Sequence, residues 1–162
     1  MRDSALAQLR HPQTGFTLVE LMVTITVLAV LLGVGVPSFQ ATIQGNRITT
    51  AANDLVAALQ YARSEAVRRG VNVTVCSSND QATCSGAWTD GWVVRGPVVA
   101  DPPLRTWPAL RPGMTLAAGG ASEFTPLGNV TNARCYQLDL GTFRRSVRVG
   151  PGGRVQTNTN AC

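Results

Sequence analysis

The sequence predicts an α+β protein in which a long, kinked amino-terminal helix packs on a carboxyl-terminal antiparallel β-sheet domain. Three observations predict it. Residues 16–36 hold a single charge, Glu20, in 21 positions. An apolar seam at helical spacing follows from Ile48 to Ala66, and beyond Gly70 the period switches from helical to alternating. With 162 residues, and 14 basic side chains, all arginine, against 9 acidic ones, the chain is one modest basic domain rather than a multidomain enzyme.

The first fifteen residues carry Arg2, Arg10, His11 and Pro12 but no apolar run, so they read as a basic leader with nothing to insert. The apolar segment starts only after Gly15. A helix over 16–36, at ~1.5 Å per residue, would be ~31 Å long and could span a bilayer. A secretory signal peptide puts its apolar stretch before the cut and loses it; here the order is reversed. A conventional signal cut near Ala29, Gly33 or Gly35, and an uncleaved anchor, are the alternatives. Glu20 within this segment costs up to ~3 kcal/mol at the bilayer centre and less near the interface, so it calls for a partner. A carboxylate turned back to the headgroups is the alternative. Pro37, close behind Gly33 and Gly35, removes one ladder hydrogen bond and is expected to kink or break the helix.

Beyond Pro37, Ile48, Ala52, Leu55, Leu59, Ala62 and Ala66 fall at spacings of four and three, the core-facing seam of a second helical stretch. Asn53, Gln60, Arg63, Ser64 and Arg68 lie off it. Arg68 and Arg69 suit a last turn, and Gly70 supplies the stop. Val71, Val73 and Val75 then alternate with polar residues into Cys76, as in a half-buried strand. Further strands are expected at 92–95, 114–118, 134–140, 144–149 and 154–157. Five prolines make 96–112 a loop or edge excursion. Residues 47–162 suffice for one packed domain.

Function classes fall away on composition. The only histidine is His11, so removal of the leader leaves no imidazole for Ser-His-Asp chemistry or for a His-ligated metal. Cys76, Cys84, Cys135 and Cys162 contain no closely spaced pair of the kind zinc sites use, and there is no paired acid motif. No catalytic, cofactor or metal residue is expected, and an enzyme is the weakest hypothesis.

The junction Gly15-Phe16-Thr17-Leu18-Val19-Glu20-Leu21-Met22 resembles the processing site of type IV prepilins. The resemblance implies a peptidase that cuts after Gly15, methylates the new amino terminus at Phe16 and leaves the apolar helix in place. It implies further that Glu20 pairs with the free amine of a neighbouring subunit in a filament. Gln60-Tyr61-Ala62-Arg63-Ser64-Glu65-Ala66, the strand with Cys76, the Gly91-Trp92 pair and the closing Gly153-Arg154-Val155 together resemble the minor pilins FimT and FimU and their secretion-system relative GspH. The implied organisation is a type IV pilin-like fold with a cleaved leader over 1–15, a membrane anchor and filament core over 16–46, and a periplasmic domain over 47–162. The implied role is a minor pilin assembled into or priming a type IV pilus at or near its tip; the alternative is a minor pseudopilin of a type II secretion system. Partners would be other pilin subunits, the prepilin peptidase and the inner membrane before assembly.

Four cysteines permit three connectivities. Cys76 with Cys84 closes a short loop after a strand and Cys135 with Cys162 staples the end of the chain to the sheet, as a disulfide does in FimU-like proteins; free buried thiols are the alternative. Disulfides fit an oxidising periplasm or cell surface.

Removing the leader leaves twelve arginines against eight acids, a net +4, and five of those arginines lie between 134 and 154 with Asp139 as the only acid. Arg144, Ser146 and Arg148 share one strand face. Pro151-Gly152-Gly153 suits a three-residue hairpin loop, and pairing Val155 with Val149 puts Arg154 and Gln156 on the face of Arg144 and Arg148, giving a basic strip. Planar guanidinium groups suit phosphate contacts, so the strip could hold DNA without reading its sequence. FimT-like DNA receptors carry Gly-Arg-x-Arg here; this chain has Gly153-Arg154-Val155-Gln156, which departs at the fourth position and matches the Gly-Arg-hydrophobic-Gln of FimU-like pilins. A solvated sheet face is the alternative.

Overall fold

The computed structural model describes residues 15–162, with the side chains of 34–38 left aside. The basic leader before Gly15, including His11, lies outside the described residues. Helix α1 runs from Leu18 to Arg69. Pro37 does not end it: the helix is continuous through that position. The chain divides into two compact units, one ending at Gln40 and one from Ala41 to Cys162.

In the first unit Thr17 caps the helix, its Oγ1 accepting from the Glu20 N–H at 3.2 Å and its carbonyl from the Leu21 N–H at 3.1 Å. Every large apolar side chain described between Leu18 and Leu32 is more than half exposed, on all sides of the helix. An all-round apolar surface belongs in lipid or against other protein. Among the described residues no helix is long and apolar enough to cross a membrane; the expected span over 16–36 runs into residues whose side chains are not described.

The second unit is organised by the seam. Ile48, Leu55, Leu59, Ala62 and Ala66 are fully buried, Ala52 nearly so, and Ala51 and Ala58 join them. Arg68 and Arg69 occupy the last turn, and Gly70, at φ 67°, donates back to the Ala66 carbonyl. Two four-stranded antiparallel sheets pack on this seam where one was expected. The first contains β1 (Val73–Ser77), β2 (Trp92–Arg95), β3 (Arg105–Trp107) and β5 (Ser122–Phe124) in the order β3-β2-β1-β5. The second contains β4 (Met114–Ala118), β6 (Arg134–Leu140), β7 (Phe143–Val149) and β8 (Val155–Asn158) in the order β4-β6-β7-β8. A 3₁₀ turn at Trp88–Asp90 precedes β2. The proline-rich stretch expected as a loop or edge excursion carries β3, the edge of the first sheet, while β5 was not expected at all.

The core joins both sheets to the helix. Val73, Val75, Trp92 and Phe124 come from the first sheet, and Leu116, Tyr136, Leu138 and Val147 from the second. Trp92 stacks on Trp107 with centroids 6.5 Å apart, and Trp88 meets Tyr136 edge-on at 5.0 Å. Burial pushes the Tyr136 hydroxyl up to about 12, and it shares a 2.6 Å hydrogen bond with Ser122 across the two sheets. β2 is buried on both faces. On its outer side Arg95, 5% exposed, meets no carboxylate among the described residues; its guanidinium donates to the carbonyls of Ala82, Val99 and Asp101, tying the 78–84 loop to the 97–101 loop.

Two glycines of the sequence pattern acquire physical reasons. Gly91, at φ 117°, lies against the Trp107 carbonyl, where a Cβ would come within 2.5 Å of the oxygen. Gly153, at φ 73°, closes the β7–β8 hairpin with its N–H on Gly150, and its Cα faces the Gly128 carbonyl so closely that a Cβ would collide with it. The Val130 N–H donates to the Pro151 carbonyl beside it, so the hairpin turn docks backbone to backbone on the 125–130 turn. Gly153→Ala combines left-handed strain with that collision and is expected to cost about 1–3 kcal/mol, several degrees in Tm, by thermal unfolding.

Glu65 is 8% exposed at the helix end and accepts from Arg68 at 2.7 Å and from Arg69 at 2.6 Å. The hydrogen bond from Arg68, then that from Arg69, lowers its carboxyl from 4.5 to about 2. A lowered acid stabilises the fold above its unfolded pKa and loses that contribution as pH falls through the folded value. Glu65→Gln is therefore expected to lower Tm at pH 7, with the gap to the parent shrinking steadily between pH 4.5 and 2. A gap independent of pH would remove the ion pairs from the account.

Candidate functional site

The second sheet positions the arginines. In register, Arg148 lies opposite Gln156 and Cys135, Ser146 opposite Asn158 and Gln137, and Arg144 opposite Asp139. Val149 pairs with Val155, the register read from the sequence, and the hairpin loop is closed by the Gly150 N–H on the Arg154 carbonyl at 3.0 Å. The inner face of β6 and β7 sinks Tyr136, Leu138, Val147 and Val149 into the core, so alternation turns the arginine row outward.

That row is not one open strip. Residues 159–162, beyond β8, cross it. The Cys135–Cys162 disulfide fixes the crossing, Arg148 Nη2 donates to the Ala161 carbonyl at 2.8 Å and the Cys162 oxygen at 3.4 Å, and the Cys162 N–H donates to Gln137 Oε1 at 3.2 Å. Ser146, in the middle of the row, is fully buried, and its Oγ has no hydrogen-bond partner among the described residues. Arg144 is drawn off to Asp139, Nε to Oδ1 at 2.6 Å, and Gln137 donates to the other carboxylate oxygen at 2.8 Å. These two bonds, the arginine's the stronger, hold the Asp139 carboxyl below its ordinary value.

Two grooves result. One, of about 440 Å³, is lined by Arg134, Cys135, Arg148, Arg154, Gln156 and Cys162. The other gathers Asp139, Arg144, Thr159, Asn160 and Ala161. Of the four residues read as contacts for phosphate, Arg148, Arg154 and Gln156 meet in the first groove and Arg144 lies in the second. Arg134 borders the first groove at the start of β6, but its register partner is Val149 and its Nε donates to the Ala121 carbonyl at 3.2 Å, so its guanidinium lies by the 119–121 turn on the other face of the sheet. The staple of Cys135 with Cys162 is the one read from the sequence; that the stapled segment lies across the arginine row was not foreseen.

Ordering four crossing residues costs about 4–8 kcal/mol at 1–2 per residue. Three exposed hydrogen bonds return about 3 kcal/mol. The disulfide, at a sequence separation of 27, adds roughly 3–4 kcal/mol in the chain-entropy model and closes the difference. The second disulfide, Cys76–Cys84, pins the loop after β1. Within that loop Asp80 accepts from the Thr83 hydroxyl and from the Thr83 and Ala82 N–H groups, which hold its carboxyl well below the usual range.

At the other end of the chain, Gly15 and Phe16 precede the helix and Glu20 sits in its first turn, exposed. The Thr17-x-x-Glu20 spacing, unnoticed in the sequence, is that of a helix cap, and the positive end of the helix dipole favours an acid there.

Residues 51–153 match the family described as type II transport protein GspH, and residues 10–36 match the prokaryotic amino-terminal methylation motif. Among curated proteins no relative matches. The fold is similar to the type IV minor pilin FimU of Pseudomonas aeruginosa, at 25% identity over 70% of this chain and 89% of that one, with a TM-score of 0.59. It is similar also to the minor pseudopilin EpsH of the type II secretion system of Vibrio cholerae, at 12% identity over 70% of this chain and 97% of that one, with a TM-score of 0.53. The methylation motif implies processing by a prepilin peptidase, membrane anchoring and then assembly with other subunits. A capped apolar helix, a seam carrying two antiparallel sheets and a family match over most of the globular unit make this chain a member of the GspH family of minor pilins and pseudopilins.

Proposed function

We propose that the chain is a minor pilin incorporated into or priming a type IV pilus, at or near its tip, and that its activity is assembly rather than catalysis. The observation that carries this reading is the helix of the first unit, apolar on every side and exposed along its whole described length. Such a surface is covered by lipid before assembly and by the helices of other subunits afterwards. Pilus rather than secretion machine is favoured by the identities, 25% to FimU against 12% to EpsH. Gly15 is the last leader residue, Phe16 the methylated first residue of the mature chain, and Glu20 the partner of a neighbouring subunit's amine. Residues 16–46 form the anchor and filament core and 47–162 the periplasmic part, later at the cell surface.

Loss of the gene is expected to reduce piliation and leave type II secretion intact; the opposite pattern would make the chain a pseudopilin. Intact mass of the membrane-extracted protein is expected to place its start at a methylated Phe16. Glu20→Ala is expected to insert normally in the membrane and to be recovered in pili at a small fraction of the parent level.

A second reading, contact with DNA backbone, is favoured by the gathering of Arg148, Arg154 and Gln156 in one groove. With Arg144 paired to Asp139, two arginines remain to neutralise phosphates, so log affinity should fall with log salt at a slope of about −1.8 for duplexes of any sequence. Arg154→Gln should bring that slope to about −0.9 in filter-binding measurements on the full chain in detergent. Binding that ignores salt would exclude a phosphate contact.

A further inference from the structure

The segment after β8 does more than finish the chain. It lies across the row Arg144, Ser146, Arg148 and borders both arginine grooves. Its hold on the sheet is a short relay: Cys162 N–H donates to Gln137 Oε1, Gln137 Nε2 donates to Asp139, and Arg144 Nε donates to the same carboxylate, with Arg148 on the Ala161 carbonyl at the other side. Residues 159–162 are themselves exposed, as is Cys162, whereas its disulfide partner Cys135 is half-buried on β6. The core face of the same strands does not depend on them, since Tyr136, Leu138, Val147 and Val149 are packed on the helix side. Beneath the crossing, the Ser146 hydroxyl is buried without a hydrogen bond to any described residue, so lifting the segment would bring it water.

We propose that residues 159–162 are a thiol-releasable strap, and that opening the Cys135–Cys162 disulfide turns two separate arginine grooves into one continuous anion-binding face. The reductant is a dithiol. Its thiolate attacks the sulfur of Cys162, the more exposed residue of the pair, forming a mixed disulfide and releasing Cys135 as a thiol. The second thiol of the reductant then displaces Cys162, and the reductant leaves as its own disulfide. Two electrons and two protons pass from the dithiol to the cysteine pair. Without the covalent tie, the remaining hydrogen bonds do not keep the segment ordered. Arg148 regains the donor it gives to Ala161, and Gln137 and Asp139 lose the link that holds them to the strap, which eases Arg144 toward an external phosphate. As a mode of regulation for DNA contact, the idea rests on the second reading above; as a strap, it does not.

The test uses the full chain in detergent, titrated with dithiothreitol, with thiol alkylation and mass spectrometry to show which pair has opened. Phenylglyoxal labelling reports arginine access, and near-ultraviolet circular dichroism of the tryptophans reports the core. Two variants accompany it: Cys135→Ser with Cys162→Ser, permanently open, and Cys76→Ser with Cys84→Ser, which keeps only the strap. Opening is expected to speed Arg148 labelling several-fold with Arg154 unchanged and the tryptophan signal retained. For duplex DNA the salt slope should steepen from about −1.8 to about −2.7, one further phosphate contact. Unchanged Arg148 labelling after the pair has opened would overturn the strap, as would collapse of the tryptophan signal on opening, because the bond would then be holding up the core. Faster labelling with no DNA binding in either form would uphold the strap and overturn the DNA reading instead.

Discussion

The seam from Ile48 to Ala66 is the constraint on which the globular unit depends. Its large residues, Ile48, Leu55 and Leu59, are fully buried, each contributing about 1.5–3 kcal/mol by removal from water. Its alanines matter as much, since Ala51, Ala52, Ala58, Ala62 and Ala66 leave room for aromatic and branched side chains of two sheets to reach the same helix. A bulkier seam would hold the sheets off. The helix therefore serves as the common wall of a core whose other sides are the two sheets, and the hydrogen bond between Ser122 on β5 and Tyr136 on β6 is a polar contact between them.

From that wall the geometry of the outer face follows. Once Tyr136, Leu138, Val147 and Val149 are committed inward, the period of two leaves Cys135, Gln137, Asp139, Arg144, Ser146 and Arg148 no choice but the other side. The Gly153 turn, seated against Gly128, then fixes where β8 can lie. Gln156 thus faces Arg148 because of glycine sterics some residues away, and the crossing segment starts from the only end of the sheet that β8 can give it.

Much of this was legible in the sequence because it rests on periodicity and on punctuation. The seam, the stop at Gly70, the bounds of β2, β4 and β6 and the Val149–Val155 register all come from side-chain alternation or from glycine and proline. What escaped is what periodicity cannot encode. Ser122–Phe124 and Arg105–Trp107 are three residues long, too short to show a period; the first owes its strand to β1, far back in the chain, and the second to β2 across the proline-rich loop. The division into two sheets was hidden for the same reason, since it depends on β5 returning to β1 rather than continuing from β4. Of the kink or break expected at Pro37, the break does not occur, because one lost hydrogen bond does not end a helix whose neighbouring turns remain intact.

The net charge was equally legible and told less than it promised. Arginine here is spent mostly within the fold. Arg68 and Arg69 bind Glu65, Arg95 gathers three carbonyls, Arg105 lies over Tyr61 and Trp107, Arg134 reaches Ala121, and Arg148 holds the crossing segment. A planar fork with five donors can join two loops or bridge a strand and a tail at once, which a lysine ammonium, a compact point charge, does less well. An arginine already donating to a neutral carbonyl nevertheless keeps its full charge and its unused N–H groups, so the same residues that knit the surface remain able to meet a phosphate. Which they do is decided by what lies across them, and on the outer face of the second sheet that is the segment ending at Cys162.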